Sequence, residues 1–160
     1  PAIPVLLRVK VVPVADIITP NQFELGFLTQ TEPDTLESTL ASVDLARAMG
    51  PRTVLVTSVE RPDREVGTIE MLAADDEGAW IVQTPHLPMK ANGSGDVTAA
   101  LSTAHYVETG SAWTALGRTA SGVYDLLKAT LDSGERELQL VEAQEFCAHP
   151  RMQFTARQVR

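Results

Sequence analysis

The chain has 160 residues, with 13 Lys and Arg against 21 Asp and Glu, for a formal charge of −8. That length supports one domain with its own core, and the negative balance argues against a nucleic-acid surface or an anionic membrane as partner. No apolar run approaches the roughly 18 residues of a membrane span and no secretory signal is evident, while a single cysteine, Cys147, excludes an internal disulfide and fits a reducing, cytoplasmic setting.

Pro1-Ala2-Ile3-Pro4 has no initiator Met and no cap, so residues 1–11 read as an atypical leader. Val5 to Val14 is apolar with Arg8 and Lys10 interspersed, and Pro13 limits it as a strand. Ala15 to Thr19 is a short buried-strand candidate, ended by Pro20-Asn21. Gln22 to Thr29 reads as a short helix capped by Asn21. Leu36, Leu40, Val43, Leu45 and Met49 form a helical apolar stripe that Gly50-Pro51 stops.

Thr53 to Thr57 is β-branched and apolar, which suits a strand buried on both faces of a parallel sheet. Glu60 to Glu65 is charged, contains Pro62 and reads as a loop. Val66 to Ala73 and Ala79 to Thr84 flank Asp75-Asp76-Glu77-Gly78, a hairpin signal. A loop over Pro85 to Asn92 leads to Gly93-Ser94-Gly95-Asp96. Helices follow over Val97 to Glu108 and over Ser111 to about Leu131. Leu138 to Val141 reads as extended, Glu142 to Ala148 as a last helical turn, and the final ten residues as a tail or edge strand. Trp80, Trp113, Tyr106 and Tyr124 read as core residues, and His86, His105 and His149 lack metal-ligand spacing. This order is α/β with a mainly parallel sheet.

Parallel α/β sheets bind ligands beyond the carboxyl ends of their strands. Three polar stretches lie there: Thr19 to Glu24, Thr57-Ser58 and Gly93 to Asp96. The glycines permit a tight, open helix start, whose free N–H groups and dipole can hold a phosphate. Asp96 then stands where a base for phosphoryl transfer to a hydroxyl is needed. The same stretch also reads simply as a glycine loop with an acidic helix start. Asn21 and Glu24 fit either a capping box or an oxygen pair holding Mg²⁺ through water. Thr57 and Ser58 can cap a loop, or meet nucleotide phosphate or a monovalent cation such as K⁺.

Asp16 to Glu24, Val54 to Ser58 and Gly93 to Asp96 together resemble the ribokinase-like superfamily. The string Thr19-Pro20-Asn21-Gln22-Phe23-Glu24, with Glu137 to Val141 and Ala143-Gln144, resembles its pyridoxal kinase branch. The resemblance implies a three-layer, Rossmann-like fold and transfer of the ATP γ-phosphoryl group to the 5′-hydroxyl of pyridoxal. It implies Asp96 as catalytic base touching the substrate, and Gly93, Ser94 and Gly95 as the anion hole. It implies Asn21 and Glu24 around Mg²⁺, with Glu24, Thr19, Thr57, Ser58 and the run Ile81, Val82, Gln83 and Thr84 on the ATP side. It also implies a homodimer for the full-length enzyme. Such kinases are nearly twice this long, so residues 1–160 are expected to form one incomplete domain lacking the N-terminal half. Alone, that piece is expected to be unstable or to associate, and to have little activity. A hydroxymethylpyrimidine or sugar kinase, or a non-catalytic nucleotide-binding fragment, are the alternatives.

Overall fold

The computed structural model describes residues 2–89 and 91–160; Pro1 of the expected leader and Lys90 of the loop before the glycine stretch lie outside the described residues. The elements are α1 (Ala2–Leu6), β1 (Ile17–Ile18), α2 (Gln22–Thr29), α3 (Leu36–Ala48), β2 (Thr53–Val59), β3 (Thr68–Ala74), β4 (Ala79–Pro85), α4 (Ser94–Thr109), α5 (Ala112–Ser133), α6 (Glu145–Ala148) and β5 (Arg157–Gln158). The five strands form one sheet in the order β1-β2-β3-β4-β5.

Strand alternation divides β2 between two cores. Val54 and Val56 pack with Leu25 of α2 and Val43 and Ala46 of α3. Leu55 faces the other way, toward Ala112, Leu116 and Ala120 of α5. Ile81 and Val82 of β4 split in the same manner. Helix α4 packs along α5, and Thr98 and Ser102 of α4 are buried. The result is the expected three layers: α2 and α3, the sheet, then α5 with α4.

The sheet is less parallel than the sequence suggests. β1 pairs β2 in parallel, but β2–β3, β3–β4 and β4–β5 are all antiparallel. The Asp75–Gly78 turn accounts for the β3–β4 pair, because a tight hairpin can only return the chain antiparallel. The final residues are an edge strand, as one of the two readings held: Arg157 and Gln158 pair with Ile81 and Trp80.

Three local expectations fail. Val5 to Val14 is helical: α1 continues into a π-helical stretch at Leu7–Val11 and a 3-10 turn at Val12–Val14. Pro13 sits near the start of that turn, where its missing N–H costs nothing. Leu138 to Val141 forms turns, with Leu140 donating to the Leu138 carbonyl and Ala143 to that of Gln139. Its alternating pattern suits a strand, yet only Glu137 bridges another segment, at Asn92. Trp113 is half exposed, and its Nε1 donates to the Ala156 carbonyl at 2.8 Å.

Candidate active site

Topology brings two of the three polar stretches together at one end of the sheet, and the third follows the loop that leaves β4 at that end. Ile17 registers with Thr53, so β1 and β2 both end there. Beyond them Asn21 bridges Thr57, and the Thr57 N–H donates to the Pro20 carbonyl at 3.0 Å. β3 starts at this edge, with Glu70 opposite Val59, and β4 returns to it, with Pro85 opposite Thr68. The chain leaves β4 at the same edge and runs to Gly93.

At the start of α2 the capping reading of Asn21 and Glu24 is realised. The Glu24 N–H donates to Asn21 Oδ1 at 2.8 Å, and the Asn21 N–H to Glu24 Oε2 at 2.9 Å. Glu24 is exposed, and its Oε1 has no hydrogen-bond partner among the described residues, so the box does not use up the carboxylate. Next to it, Ser58 has φ of +53°, unusual without glycine, at a register shift between Val56 and Val59. The β2–β3 ladder is interrupted there, while on the other side Thr57 stays bonded to the Pro20–Asn21 segment. Thr57 is half-buried and Ser58 exposed.

Gly93 caps α4 with φ of +82° and no side-chain hydrogen bond covers that helix start. The first-turn amides of Ser94, Gly95 and Asp96 are therefore open to an anion. A Cβ added at Gly95 would meet nothing within 4 Å. Asp96 is exposed on the first turn of α4. The loop is braced from outside: Asn92 Nδ2 donates to Glu137 Oε1 at 3.2 Å, and Leu138 Cδ1 lies 3.8 Å from the position of a Gly93 Cβ. Beside Asn92 opens a groove of about 480 Å³, lined by Met89, Asn92, Leu131, Gly134, Glu135 and Arg136. The sequence reading did not find this groove.

Not every expected residue offers a side chain here. Ile81 and Val82 are each 2 % exposed and lie in opposite cores. Strand alternation inside a covered sheet leaves them no ligand-facing side chain. Gln83 instead binds Glu65 Oε2 at 2.8 Å, and Thr84 is buried near the strand's end. Thr19 is half-buried just beyond β1.

Three residues missed in the sequence hold this edge together. Gln22 Oε1 accepts the Glu60 N–H at 2.9 Å, tying α2 to the β2–β3 connection. Arg61, 5 % exposed, forks onto Glu70, 1 % exposed, through Nε to Oε2 at 2.8 Å and NH2 to Oε1 at 2.9 Å. Arg61 also grips both oxygens of the exposed Asp63. The Glu70 carboxylate raises the Arg61 guanidinium above its ordinary value, against the opposing effect of burial. Gln22 sits inside the motif already singled out; Arg61 and Glu70 gave no signal beyond belonging to a charged stretch and a strand.

Among the described residues, no group of three or more His, Cys, Asp or Glu could hold a metal ion, and no helix is long and apolar enough to cross a membrane. The chain thus offers an uncapped helix start with an accessible carboxylate, a second exposed carboxylate at the start of α2, and a positive-φ corner at Ser58. These are parts for handling a phosphate chain with a hard cation.

Residues 3–140 match the model of the phosphomethylpyrimidine kinase family, so the match opens inside the segment read as a leader. The chain is 77% identical over 159 residues to a pyridoxal kinase PdxY of Leifsonia xyli, across 99% of this chain and 56% of that one. It superposes on the pyridoxal kinase of Leishmania donovani, solved with ADP and ginkgotoxin, with a TM-score of 0.89 at 24% identity, covering 100% of this chain and 56% of that one. A putative phosphomethylpyrimidine kinase of Bacteroides thetaiotaomicron superposes with a TM-score of 0.85 at 23% identity, covering 99% and 56%. The chain spans about half the length of the curated relatives it matches. The ribokinase-like fold expected from the sequence is the fold these kinases share.

Proposed function

The chain belongs to the phosphomethylpyrimidine kinase family, and from that membership we propose that it carries the nucleotide-binding and proton-accepting half of a pyridoxal kinase. The reaction moves the ATP γ-phosphoryl group to the 5′-hydroxyl of pyridoxal, giving pyridoxal 5′-phosphate. One observation supports the reading above the others: the Gly93–Asp96 helix start is uncapped and carries an exposed acid in its first turn.

The amides of Ser94, Gly95 and Asp96 point where charge builds on the transferring phosphoryl oxygens, and they need no rearrangement to donate. Asp96, in the first turn of the same helix, accepts the proton of the attacking hydroxyl. Thr19, Thr57 and Ser58 contact the nucleotide phosphates, while the backbone near Gln83 and Thr84 and the groove beside Asn92 receive the rest of the nucleotide. Magnesium bound with ATP would neutralise phosphate charge. Asn21 and Glu24 fit it through water, since Glu24 keeps one oxygen outside the capping box. The carbonyl and hydroxyl oxygens of Thr57 and Ser58 suit a potassium ion. We place the enzyme in the cytoplasm on its cysteine usage, one free thiol at Cys147, and read the full-length assembly as a homodimer.

A second acceptor, a hydroxymethylpyrimidine, is favoured by the name of the matching family and by the Bacteroides neighbour. A third possibility is a nucleotide-binding piece without catalysis. Titration with Mg-ATP, followed by transfer assays on the chain joined to its complementary half, separates the three. Saturable binding with pyridoxal phosphorylation supports the proposal. Preference for the pyrimidine supports the second reading, and binding without transfer to any acceptor supports the third. Asp96→Ala should cut transfer by roughly 10²–10⁴-fold while leaving ATP affinity nearly unchanged. Wild-type turnover in that variant would remove Asp96 from the role of base.

A further inference from the structure

The body of α4 and the chain that enters it are held by different contacts. The body lies on α5, with Thr98 and Ser102 buried. The entering chain passes through Gly93 at φ of +82°, and an added Cβ there would meet nothing closer than 3.8 Å. A glycine in open space does little to fix the direction of the next peptide. Among the described residues no side chain caps the helix start. The aim of the Ser94, Gly95 and Asp96 amides therefore depends on what holds Asn92.

Asn92 is held by the segment after α5. It bridges Glu137 in parallel, and its Nδ2 donates to Glu137 Oε1 at 3.2 Å. Leu138 Cδ1 lies over Gly93. Asn92 and Glu137 are both exposed, and a hydrogen bond between such groups contributes little by itself. The segment needs an anchor of its own, and Thr130 of α5 supplies it. Thr130 is 0 % exposed. Its hydroxyl donates to the Leu126 carbonyl at 2.8 Å and accepts the Gln139 N–H at 3.2 Å. One hydrogen and two lone pairs allow both bonds at once. The Leu126 carbonyl already serves the helix ladder, so the bond to Gln139 is what the hydroxyl adds. Gln139 in turn reaches back, its Nε2 donating to the Glu137 carbonyl at 3.1 Å.

We propose that Thr130 is a positioning residue for the phosphoryl-binding amides, acting through Gln139, Glu137 and Asn92. The helix that supports the body of α4 thereby also sets the chain entering it. What those amides do rests on the kinase reading; their placement does not.

The test uses the chain joined to its complementary half, with Thr130→Val, Thr130→Ser and Glu137→Ala. Amides aimed at the transferring phosphoryl group act in the transition state, so misdirecting them lowers kcat rather than raising KM. Thr130→Val should lower kcat by at least about tenfold, with KM for Mg-ATP within about twofold of the parent. Thr130→Ser keeps the hydroxyl and should restore kcat. The second readout is hydrogen exchange at two helix starts. The Val97 N–H donates to the Gly93 carbonyl at 3.0 Å, and the Leu25 N–H to the Asn21 carbonyl at 2.8 Å across the sheet. Thr130→Val should speed exchange at Val97 by at least about tenfold and leave Leu25 unchanged. Equal acceleration at both amides would reduce Thr130 to a general stabiliser and overturn the proposal. So would an unchanged Val97, or a kcat loss that Thr130→Ser does not restore. Where Thr130→Val does not fold, Glu137→Ala cuts the same path at its exposed end, and unchanged kcat and Val97 exchange overturn the proposal. If the parent transfers phosphate to no acceptor, the kinase reading falls and exchange at Val97 alone decides the placement.

Discussion

Replacing Arg61 by Met isolates the buried ion pair that closes the β2–β3 end of the candidate site. Arg61 is 5 % exposed and Glu70 1 %, and two hydrogen bonds of 2.8 and 2.9 Å join them in a fork. Asp63 is too exposed to contribute much. The loss therefore comes from a carboxylate left in the interior without its partner, about 3–5 kcal/mol. Set against a typical total of about 5–15 kcal/mol, that is a large share. For a domain of this size it corresponds to a fall in Tm of roughly 6–20 °C. Urea unfolding followed by circular dichroism, together with a thermal melt, reads both quantities. The double variant Arg61→Met/Glu70→Met should recover most of the loss, because an apolar pair of similar volume has no charge to desolvate. An Arg61→Met chain within about 1 kcal/mol of the parent, or a double variant no better than the single one, would refute this account of the pair.

Three further outcomes follow from other places. Gly26→Ala should destabilise by roughly 1–3 kcal/mol in urea unfolding, although alanine is the better helix former by about 1 kcal/mol; the new Cβ would meet the Thr31 carbonyl at 2.8 Å and Pro33 Cδ at 3.1 Å. Thr35→Ala removes a hydroxyl that accepts the Ser38 N–H at 3.0 Å at the start of α3, and should cost about 1 kcal/mol in the same assay. His105 is held below its ordinary value, first by burial and then by Arg118, and its Nε2 is buried without a partner. The unfolded chain thus binds more protons than the folded one once the pH drops below 6.5. Its stability contribution is present above that value and fades as pH falls through the lowered folded value. His105→Gln should flatten that part of the stability–pH curve; an unchanged slope would show that His105 does not govern it.

Legibility in the sequence depended on whether a residue's role was local. Helix α2 and its Asn21–Glu24 box could be read because the partners lie three residues apart. The Asp75–Gly78 hairpin and the Gly93 helix start were visible for the same reason. The family resemblance drawn from Asp16–Glu24, Val54–Ser58 and Gly93–Asp96 is borne out by the match over residues 3–140. Long-range roles were hidden. Asp125 looks like any helix acid, yet it is buried and its Oδ2 accepts the Arg151 and Met152 N–H groups, anchoring the chain beyond α6. Arg61 looked like part of a solvated loop, and only its pairing with Glu70 explains its burial. The first fourteen residues misled for a different reason: their apolar run suits a strand as well as a buried helix, and their length cannot decide between the two.

The two-sided core of β2 has a consequence for alignment. In a sheet with one wet face, sliding a strand by a single position sends its oily side chains into water, and that penalty locks the pairing. Here Val54, Leu55 and Val56 are apolar in succession and each meets a greasy wall on its own side. A slip would merely swap which wall each one touches, so hydrophobicity is nearly blind to the error. The alignment must instead be set by directional polar groups at the two tips of the strand. At one tip the Asp16 carbonyl accepts the Arg52 and Thr53 N–H groups. At the other the Pro20 carbonyl accepts the Thr57 N–H, and Arg61 locks onto Glu70. The polar contacts at the two tips, one set of which borders the candidate site, therefore act as the indexing pins of β2, so damage to them is expected to appear as mispaired strands rather than as a local defect.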